Sequence, residues 1–138
     1  MDRQAFIILA HGCLEQLDII LDCLQDDGFD IYLHLDAGFE GASGAETYLA
    51  SAKERYPNLT ILPRMHCYWG TMSLVNAEIE AFASVLASGR SYTHIHLISG
   101  NDMPIKSTTA IKEFFGANAG RNFLSIYPHN DRFFTHIP

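Results

Sequence analysis

Three short polar turns in this sequence each follow an apolar run, and their side chains could hold a ligand. The turns are His11-Gly12, Asp36-Ala37-Gly38 and Ser99-Gly100-Asn101-Asp102. A carboxylate such as that of Asp36 or Asp102 can accept hydrogen bonds from a nucleotide base, a ribose or a sugar, and a glycine lets a ligand approach the backbone closely. The same residue types also form ordinary turns. The pattern indicates a candidate site and leaves both interpretations open.

The seven histidines of the sequence raise a metal-binding alternative. They are His11, His34, His66, His94, His96, His129 and His136. Strand residues at i and i+2 can share a metal, so "THIH" and "HLD", with Asp102, would suit a metal-dependent hydrolase such as a phosphoesterase. However, no His-x-x-x-His or Cys-x-x-Cys pair accompanies them, and His94 begins its apolar run far from Asp102. We therefore favour semi-buried histidines with hydrogen-bonded rings and no metal.

The stretch "RMHCYWGTM" offers further candidates for a ligand pocket. Trp69-Gly70 could wall a nucleotide or sugar pocket, because ring faces pack well on such ligands, or could anchor the core. Arg64 could bind a phosphate bidentately, although a surface arginine is the commoner outcome. Cys67 has no His or Asp partner at a recognisable spacing, so a nucleophilic role is set aside. Neither a dinucleotide-binding nor a P-loop glycine pattern is present.

Composition excludes several classes of function. With nine Lys+Arg against sixteen Asp+Glu, the net charge of −7 argues against nucleic-acid binding and against an anionic membrane surface. The three cysteines form no recognisable disulfide framework and suit a reducing compartment. The first apolar run is too short to cross a bilayer. We expect one domain, residues 1–138, in a soluble and cytoplasmic protein without a transmembrane segment.

Strand and helix patterns alternate along the chain and predict an α/β fold, Rossmann-like, with a mostly parallel sheet and helices on both faces. The predicted strands are 4–10, 30–36, 59–63, 93–99 and, at an edge, 122–128. The predicted helices are one ending at Gly28, one over 45–55, one capped by Ser73 and ended by Gly89, and one capped by Ser107. The third helix carries an apolar stripe of Val75, Ile79, Phe82 and Leu86, and the fourth turns Ile111, Phe114 and Phe115 inward.

This topology predicts where a ligand would bind. Ligands of open parallel sheets lie beyond the carboxyl ends of the strands. The turns after the first, second and fourth strands, which contain His11, Asp36 and Asp102, should therefore meet at one edge of the sheet.

Four stretches occur in the order found in a known family: "AFIILAHG", "IYLHLDAG", "YWGTMSLVNAE" and "HLISGNDMPIKS". Together they resemble the N-terminal half of the core-2/I-branching β-1,6-N-acetylglucosaminyltransferase family, which includes peptide xylosyltransferases. The resemblance implies the nucleotide-binding half of a GT-A-like glycosyltransferase fold. It also implies inverting transfer of a sugar, N-acetylglucosamine or xylose, from a UDP-sugar to a hydroxyl of a glycan or polysaccharide acceptor, with no metal or other cofactor.

The resemblance also implies roles for individual residues. Ala10 and His11 would lie beside the uridine, and Asp36 would contact the base. Trp69-Gly70 would line the pocket, with Arg64 a further candidate nearby. The turn of Ser99, Gly100 and Asp102 would approach the donor sugar and the diphosphate.

The family's catalytic base and the basic residues that neutralise the diphosphate lie in its C-terminal half. We therefore expect the base beyond Pro138, in a chain truncated at its C-terminus, and we assign no catalytic residue here. A domain cut in this way should expose apolar surface and self-associate. A non-catalytic binding module is the alternative. Eukaryotic members carry a membrane anchor, so the protein could also be peripheral at a membrane.

Overall fold

The computed structural model of the chain describes residues 3–39 and 42–124 and contains a four-stranded parallel sheet. Its strands are β1 (Gln4–Ala10), β2 (Phe29–Leu35), β3 (Leu59–Ile61) and β4 (His94–Ser99). Its helices are α1 (Leu14–Cys23), α2 (Ala42–Arg55), α3 (Met72–Ala87) and α4 (Thr108–Ala117). The strand order β3-β2-β1-β4 places β1 and β2 in the middle. The predicted α/β class and parallel sheet are confirmed.

The two central strands are mostly apolar on both faces, since helices cover both sides of the sheet. All of β2 is buried, and so is β1 apart from the partly buried Leu9. On one face, α1 and α2 pack over Ile8 and Leu33, and on the other, α3 packs over Ile7 and Tyr32. Continuous apolar runs, rather than alternating ones, are what such doubly covered strands require.

Helix α3 begins earlier and turns a different face to the sheet than the sequence pattern indicates. Thr71, not Ser73, is the N-cap, and its hydroxyl accepts a hydrogen bond from the Ser73 backbone N–H. The buried side chains are those of Ala77, Ala81 and Val85. Small side chains bring the helix axis close to the sheet, so the larger residues of the predicted stripe point outward. Val75, Ile79 and Leu86 are exposed, and Phe82 is partly buried.

Other predicted boundaries were partly wrong. Helix α1 ends at Cys23, before Gly28, because the chain turns at Leu24 to enter β2. Ser107 does cap α4, but Phe114 is exposed while Ile111 and Phe115 are partly buried. Of the predicted strand 122–128, residues 122–124 form no strand, and residues 125–128 lie outside the described part of the chain.

Across residues 3–39 and 42–124, no helix is both long enough and apolar enough to cross a membrane.

Candidate functional site

The three polar turns meet at the carboxyl edge of the sheet, as the topology predicts. The backbone N–H of Asp36 donates to the Ala10 carbonyl over 2.8 Å, which joins the ends of β2 and β1. The backbone N–H of Gly100 donates to the Leu9 carbonyl over 2.9 Å, which joins β4 to β1 from the other side. The turns containing His11, Asp36 and Asp102 are thus neighbours because parallel pairing brings all three strands to one edge.

Gly100 is the closest contact between two of these turns. A Cβ atom at this position would lie 2.8 Å from the Cβ and 3.1 Å from the Cα of Ala10. Both distances are shorter than ordinary van der Waals contacts. The missing side chain therefore allows the Ser99–Asp102 turn to pack directly on the end of β1.

A cavity of about 50 Å³ lies between this edge and the start of α3. Its lining residues are Leu9, Ala10, His11, His34, Asp36, Cys67, Leu74 and Ala77. This volume suits one or two water molecules, so a larger ligand would insert one group and lie across the mouth. Larger depressions of about 540 Å³ between α1 and α2 and about 800 Å³ along the outer edge of β4 contain none of the predicted site residues.

Asp36 is 8% exposed, and its carboxylate organises the backbone around the cavity. Its Oδ1 accepts the Gly38 N–H over 2.6 Å, and its Oδ2 accepts the Cys67 N–H over 2.8 Å. A carboxylate has about four acceptor positions, so each oxygen retains a lone pair for a ligand. Asp36 is both a turn former and a lining residue of the cavity.

Segment 64–67 runs along the end of β2 without being a strand and places Cys67 in the wall of the cavity. The Met65 N–H donates to Nε2 of His34 over 3.0 Å, and the Ala37 N–H donates to the Met65 carbonyl over 2.9 Å. Together with the Cys67–Asp36 bond, these contacts form a ladder in which two side chains replace backbone acceptors. This stretch has no regular periodicity because two of its three partners are side chains.

Arg64 belongs to this ladder rather than to the cavity. Its Nε donates to the Leu35 carbonyl over 3.2 Å and its Nη2 to the Asp36 carbonyl over 2.8 Å. Its Nη1 forms a 2.9 Å ion pair with Glu46. The side chain is 13% exposed, so the guanidinium is engaged by protein groups on all three nitrogens.

Burial sets the protonation of two cavity residues. Burial lowers the pKa of His34, with the positive charge of Arg64 adding to this effect and the negative charge of Asp36 opposing it. Burial also raises the pKa of the Cys67 thiol, and the Asp36 carboxylate raises it further. Both effects favour the neutral forms of the His34 ring and the Cys67 thiol.

Asp102 stabilises its own turn. Its N–H donates to the Ser99 carbonyl over 3.0 Å, and its Oδ2 accepts the Ser99 N–H over 2.6 Å. The Ser99 hydroxyl accepts the Asn101 N–H over 3.1 Å. Ser99 is partly buried and Asp102 exposed, so this turn forms the rim above β4 and does not line the cavity.

Trp69 and Gly70 lie at the tip of the turn that leads into α3. The Thr71 N–H donates to the Tyr68 carbonyl over 3.2 Å, and Gly70 has a φ of 73°. That φ favours glycine, which explains the residue type. Trp69 is 83% exposed, so it neither anchors the core nor lines the cavity.

The structure therefore brings Ala10, His11 and Asp36 together in one cavity, with Gly100 packed behind Ala10. It places Arg64, Trp69, Gly70, Ser99 and Asp102 outside the lining. Sequence reasoning considered His34 as a possible metal ligand rather than as a residue of the donor site, and it set Cys67 aside. The spacing of two residues between His34 and Asp36 was the signal for His34, because alternate residues of a strand lie on the same face. No sequence signal placed Cys67.

The histidines of "THIH" lie away from this edge of the sheet. His96 bonds Oε1 of Gln4 over 2.8 Å, and His94 bonds the Arg121 carbonyl over 3.2 Å. Both rings pack against Phe115. Within residues 3–39 and 42–124, no three His, Cys, Asp or Glu side chains come together as metal ligands, and His129 and His136 lie outside these ranges.

Comparison with known families gives one match that covers nearly the whole chain. The family model described as Core-2/I-Branching enzyme matches residues 4–135. This range includes β1 to β4 and all three turns.

Curated relatives and a solved structure were also found. The chain is similar to Xylosyltransferase oxt of Drosophila melanogaster, with 27% identity over 88% of the chain, and to a Xylosyltransferase of Ciona intestinalis, with 23% identity over 96%. It spans 14% and 15% of the length of these relatives. A solved "PaToxG Glycosyltransferase" matches with a TM-score of 0.38 and 11% identity over 78% of this chain and 45% of that one.

Proposed function

Because the chain belongs to the Core-2/I-branching enzyme family, a family of glycosyltransferases, we propose that it binds the UDP-sugar donor of an inverting glycosyl transfer. The convergence of Ala10, His11 and Asp36 on one cavity at the carboxyl edge of the sheet supports this proposal most directly. That edge is where open parallel sheets bind nucleotides. The chain corresponds to the nucleotide-binding half of a GT-A-like fold.

In this proposal the uracil inserts one edge into the cavity. A free lone pair of the Asp36 carboxylate accepts a hydrogen bond from the base, while His11 contacts the uridine from the end of β1. Leu74 and Ala77 of α3 supply the apolar side of the cavity. The diphosphate and the sugar then extend across the sheet edge towards the rim formed by Ser99, Gly100 and Asp102.

Inverting transfer further requires a general base within hydrogen-bond reach of the acceptor hydroxyl and positive charge or donors for the departing UDP. Asp36 and Asp102 already hold backbone N–H groups. Arg64 is engaged by protein oxygens. We therefore propose that residues other than these three supply the base and the charge, and that no metal or other cofactor is needed.

The names of the relatives favour xylose over N-acetylglucosamine as the transferred sugar. The acceptor, a hydroxyl of a glycan or polysaccharide, stays a prediction from the family resemblance. The cytoplasmic location expected from composition stays a prediction.

Calorimetric titration of the chain with UDP, UDP-xylose and UDP-N-acetylglucosamine tests donor binding. We expect binding in the presence of a chelator and no gain on adding magnesium. Asp36→Asn should weaken binding by about 1–3 kcal/mol. The NH2 group that replaces one carboxylate oxygen cannot accept a hydrogen bond. Asp27→Asn is the matched control, since it removes the same charge from an exposed position outside the cavity lining.

Two results would contradict the proposal. One is the absence of binding of all three compounds at millimolar concentration, with and without magnesium. The other is equal weakening by Asp36→Asn and Asp27→Asn, which would reflect net charge rather than a contact at the cavity. If a UDP-sugar binds but no sugar is transferred to an acceptor, the chain would bind the donor without supplying the general base.

A further inference from the structure

His34 is a buried titratable group that the proposed donor contacts do not use. It is 3% exposed and lines the cavity, and its Nε2 lies 3.0 Å from the Met65 backbone nitrogen. That nitrogen carries a proton and can only donate. Nε2 of His34 must therefore present a lone pair, which fixes the ring as the neutral tautomer protonated on Nδ1.

Protonation of His34 would remove this acceptor and set an N–H of the ring against the N–H of Met65. Two residues further along the chain, the Cys67 N–H makes the next hydrogen bond of this ladder, to the Asp36 carboxylate. Loss of the His34–Met65 bond would leave the backbone between Arg64 and Cys67 held by the Ala37–Met65 and Cys67–Asp36 bonds, and would so loosen the part of the cavity wall that contains Cys67.

We propose that His34 is a positioning residue of the cavity: as a neutral imidazole it holds segment 64–67 against β2, and acid opens this wall. The part of the proposal that concerns the donor rests on the function proposed above. The part that concerns the wall does not.

The groups that face His34 set the direction of this response. Asp36, on the same strand, favours the charged ring, whereas burial and Arg64, from the adjoining segment, disfavour it. Cys67 and His11 share the cavity. Helix α3 contributes only apolar side chains to the lining.

The pKa of His34 is lowered overall from its ordinary value of about 6.5. The wall is therefore closed at neutral pH. As the pH falls below about 6.5, the unfolded chain takes up a proton that folded His34 resists, so stability is lost in the acid direction.

Cys67 provides a readout that needs no ligand. In a Cys13→Ser, Cys23→Ser background it is the single thiol of the chain, because the sequence has three cysteines. Its sulfur is partly buried and lies 3.8 Å from the Met65 and Ser73 carbonyls. The probe is 4,4′-dithiodipyridine: the Cys67 thiolate attacks one sulfur, the S–S bond breaks, a mixed disulfide forms and 4-thiopyridone leaves.

Three variants in this background separate the roles of His34. His34→Gln keeps a neutral acceptor within reach of the Met65 N–H and cannot titrate, so Cys67 should stay protected at every pH. His34→Leu removes the acceptor and should raise the rate about tenfold at neutral pH, the equivalent of one lost hydrogen bond. His96→Gln is the control, since it changes another partly buried histidine, which bonds Gln4.

The decisive measurement is the ratio of the rate in the unmutated His34 protein to the rate in His34→Gln, taken from about pH 8 to pH 5. The pH dependence of thiolate formation that the two proteins share cancels in this ratio. We expect the ratio to be near one at neutral pH and to rise several-fold in acid. A ratio independent of pH would overturn the proposal. If circular dichroism shows that His34→Leu is unfolded, this ratio decides alone.

UDP binding measured on the same proteins extends the test to the donor. It should weaken in acid with His34 present and hold in His34→Gln. Loss of binding in acid to the same extent in both proteins would contradict a role of His34 in donor binding. If UDP binds neither protein at any pH, the donor proposal fails while the thiol measurement still decides whether His34 positions the wall.

Discussion

Gly100 shows how closely the ends of β4 and β1 approach each other at the candidate site. A Cβ atom here would meet the Ala10 Cβ at 2.8 Å, and Ala10 itself is buried in the cavity lining. Neither backbone can move freely, because the Gly100 N–H is bonded to the Leu9 carbonyl. A single methyl group would therefore displace the rim from the end of β1.

We expect Gly100→Ala to lower the free energy of unfolding by about 1–3 kcal/mol, as for other overpacked sites, and to weaken UDP binding. Denaturant titration measures the first effect and calorimetry the second. Adding Ala10→Gly should restore part of the stability by removing the nearer contact. Gly44→Ala is the control, since it has open space around its Cβ position and should not destabilise. Equal stability of the Gly100 and Gly44 variants would show that the rim adapts.

At the scale of residues, the sequence predicted which edge of the sheet carries the candidate site better than it predicted the contacts of each side chain. Ala10, His11 and Asp36 line one cavity, and their contacts with the uridine stay a prediction. Arg64 did not reach it, because its planar guanidinium matches two successive carbonyls at the end of β2 and one carboxylate. Such pairings between distant parts of the chain have no periodic signal in one sequence.

Asp30 joins three elements at the opposite edge of the sheet. Its carboxylate accepts hydrogen bonds from Arg3, which precedes β1, and from Arg90 and Tyr92, which lie between α3 and β4. Burial alone would raise the pKa of Asp30, but the hydrogen bonds from Arg3, Arg90 and Tyr92 outweigh it and hold the pKa below its ordinary value. The carboxylate is thus charged in the folded chain under acid conditions in which it would be protonated in the unfolded one.

This lowered pKa predicts how stability depends on pH. The contribution of Asp30 is fully present above its unfolded pKa of about 3.9 and is lost as the pH falls through the lower folded value. Asp30→Asn should cost about 1–3 kcal/mol at pH 7, since both arginines are partly exposed, and should flatten the acid limb of the stability curve.

Urea unfolding at a series of pH values checks this expectation. Asp27→Asn, an exposed neighbour, should leave both the stability and the acid limb unchanged. If Asp30→Asn kept the same acid limb as the unmodified chain, another carboxyl group would have to account for it.

Element types were predicted correctly for all four described strands and helices, because the long apolar runs of β1 and β2 and the cap of α4 are local signals. The sequence did not predict correctly which face of α3 packs against the sheet. Apolar residues occupy two sides of this helix, and periodicity alone does not tell which side meets the sheet. The small side chains of Ala77 and Ala81 decided it.

The whole domain consequently carries apolar surface on the outer side of α3. Met72, Val75, Ile79 and Leu86 are exposed along this helix. The net charge of −7 opposes association at long range but is screened beyond about 10 Å at 0.1 M salt. We therefore expect the chain to self-associate as its concentration and the salt concentration rise.

Light scattering over a concentration series checks this expectation. The double variant Ile79→Gln, Leu86→Gln should shift the chain towards monomer. Ile19→Gln, which removes an exposed apolar side chain from α1 on the other layer, should have little effect. A monodisperse monomer at high concentration, before any substitution, would contradict the prediction.

The exposed turn before α3 also makes the protein an unusual fluorescent molecule. Trp69 is the only tryptophan, and its indole is 83% exposed in the folded chain. Emission of the native protein should therefore already resemble that of an indole in water, and urea should barely move its maximum.

A ligand or partner that buries the Trp69 indole should instead shift the emission towards the blue. A UDP titration followed by fluorescence would tell whether the donor reaches Trp69. A blue shift that saturates with the calorimetric signal would place the ligand against the ring. Binding by calorimetry with unchanged emission would keep it at the cavity, and the lone indole would then serve to report only on partners that approach the start of α3.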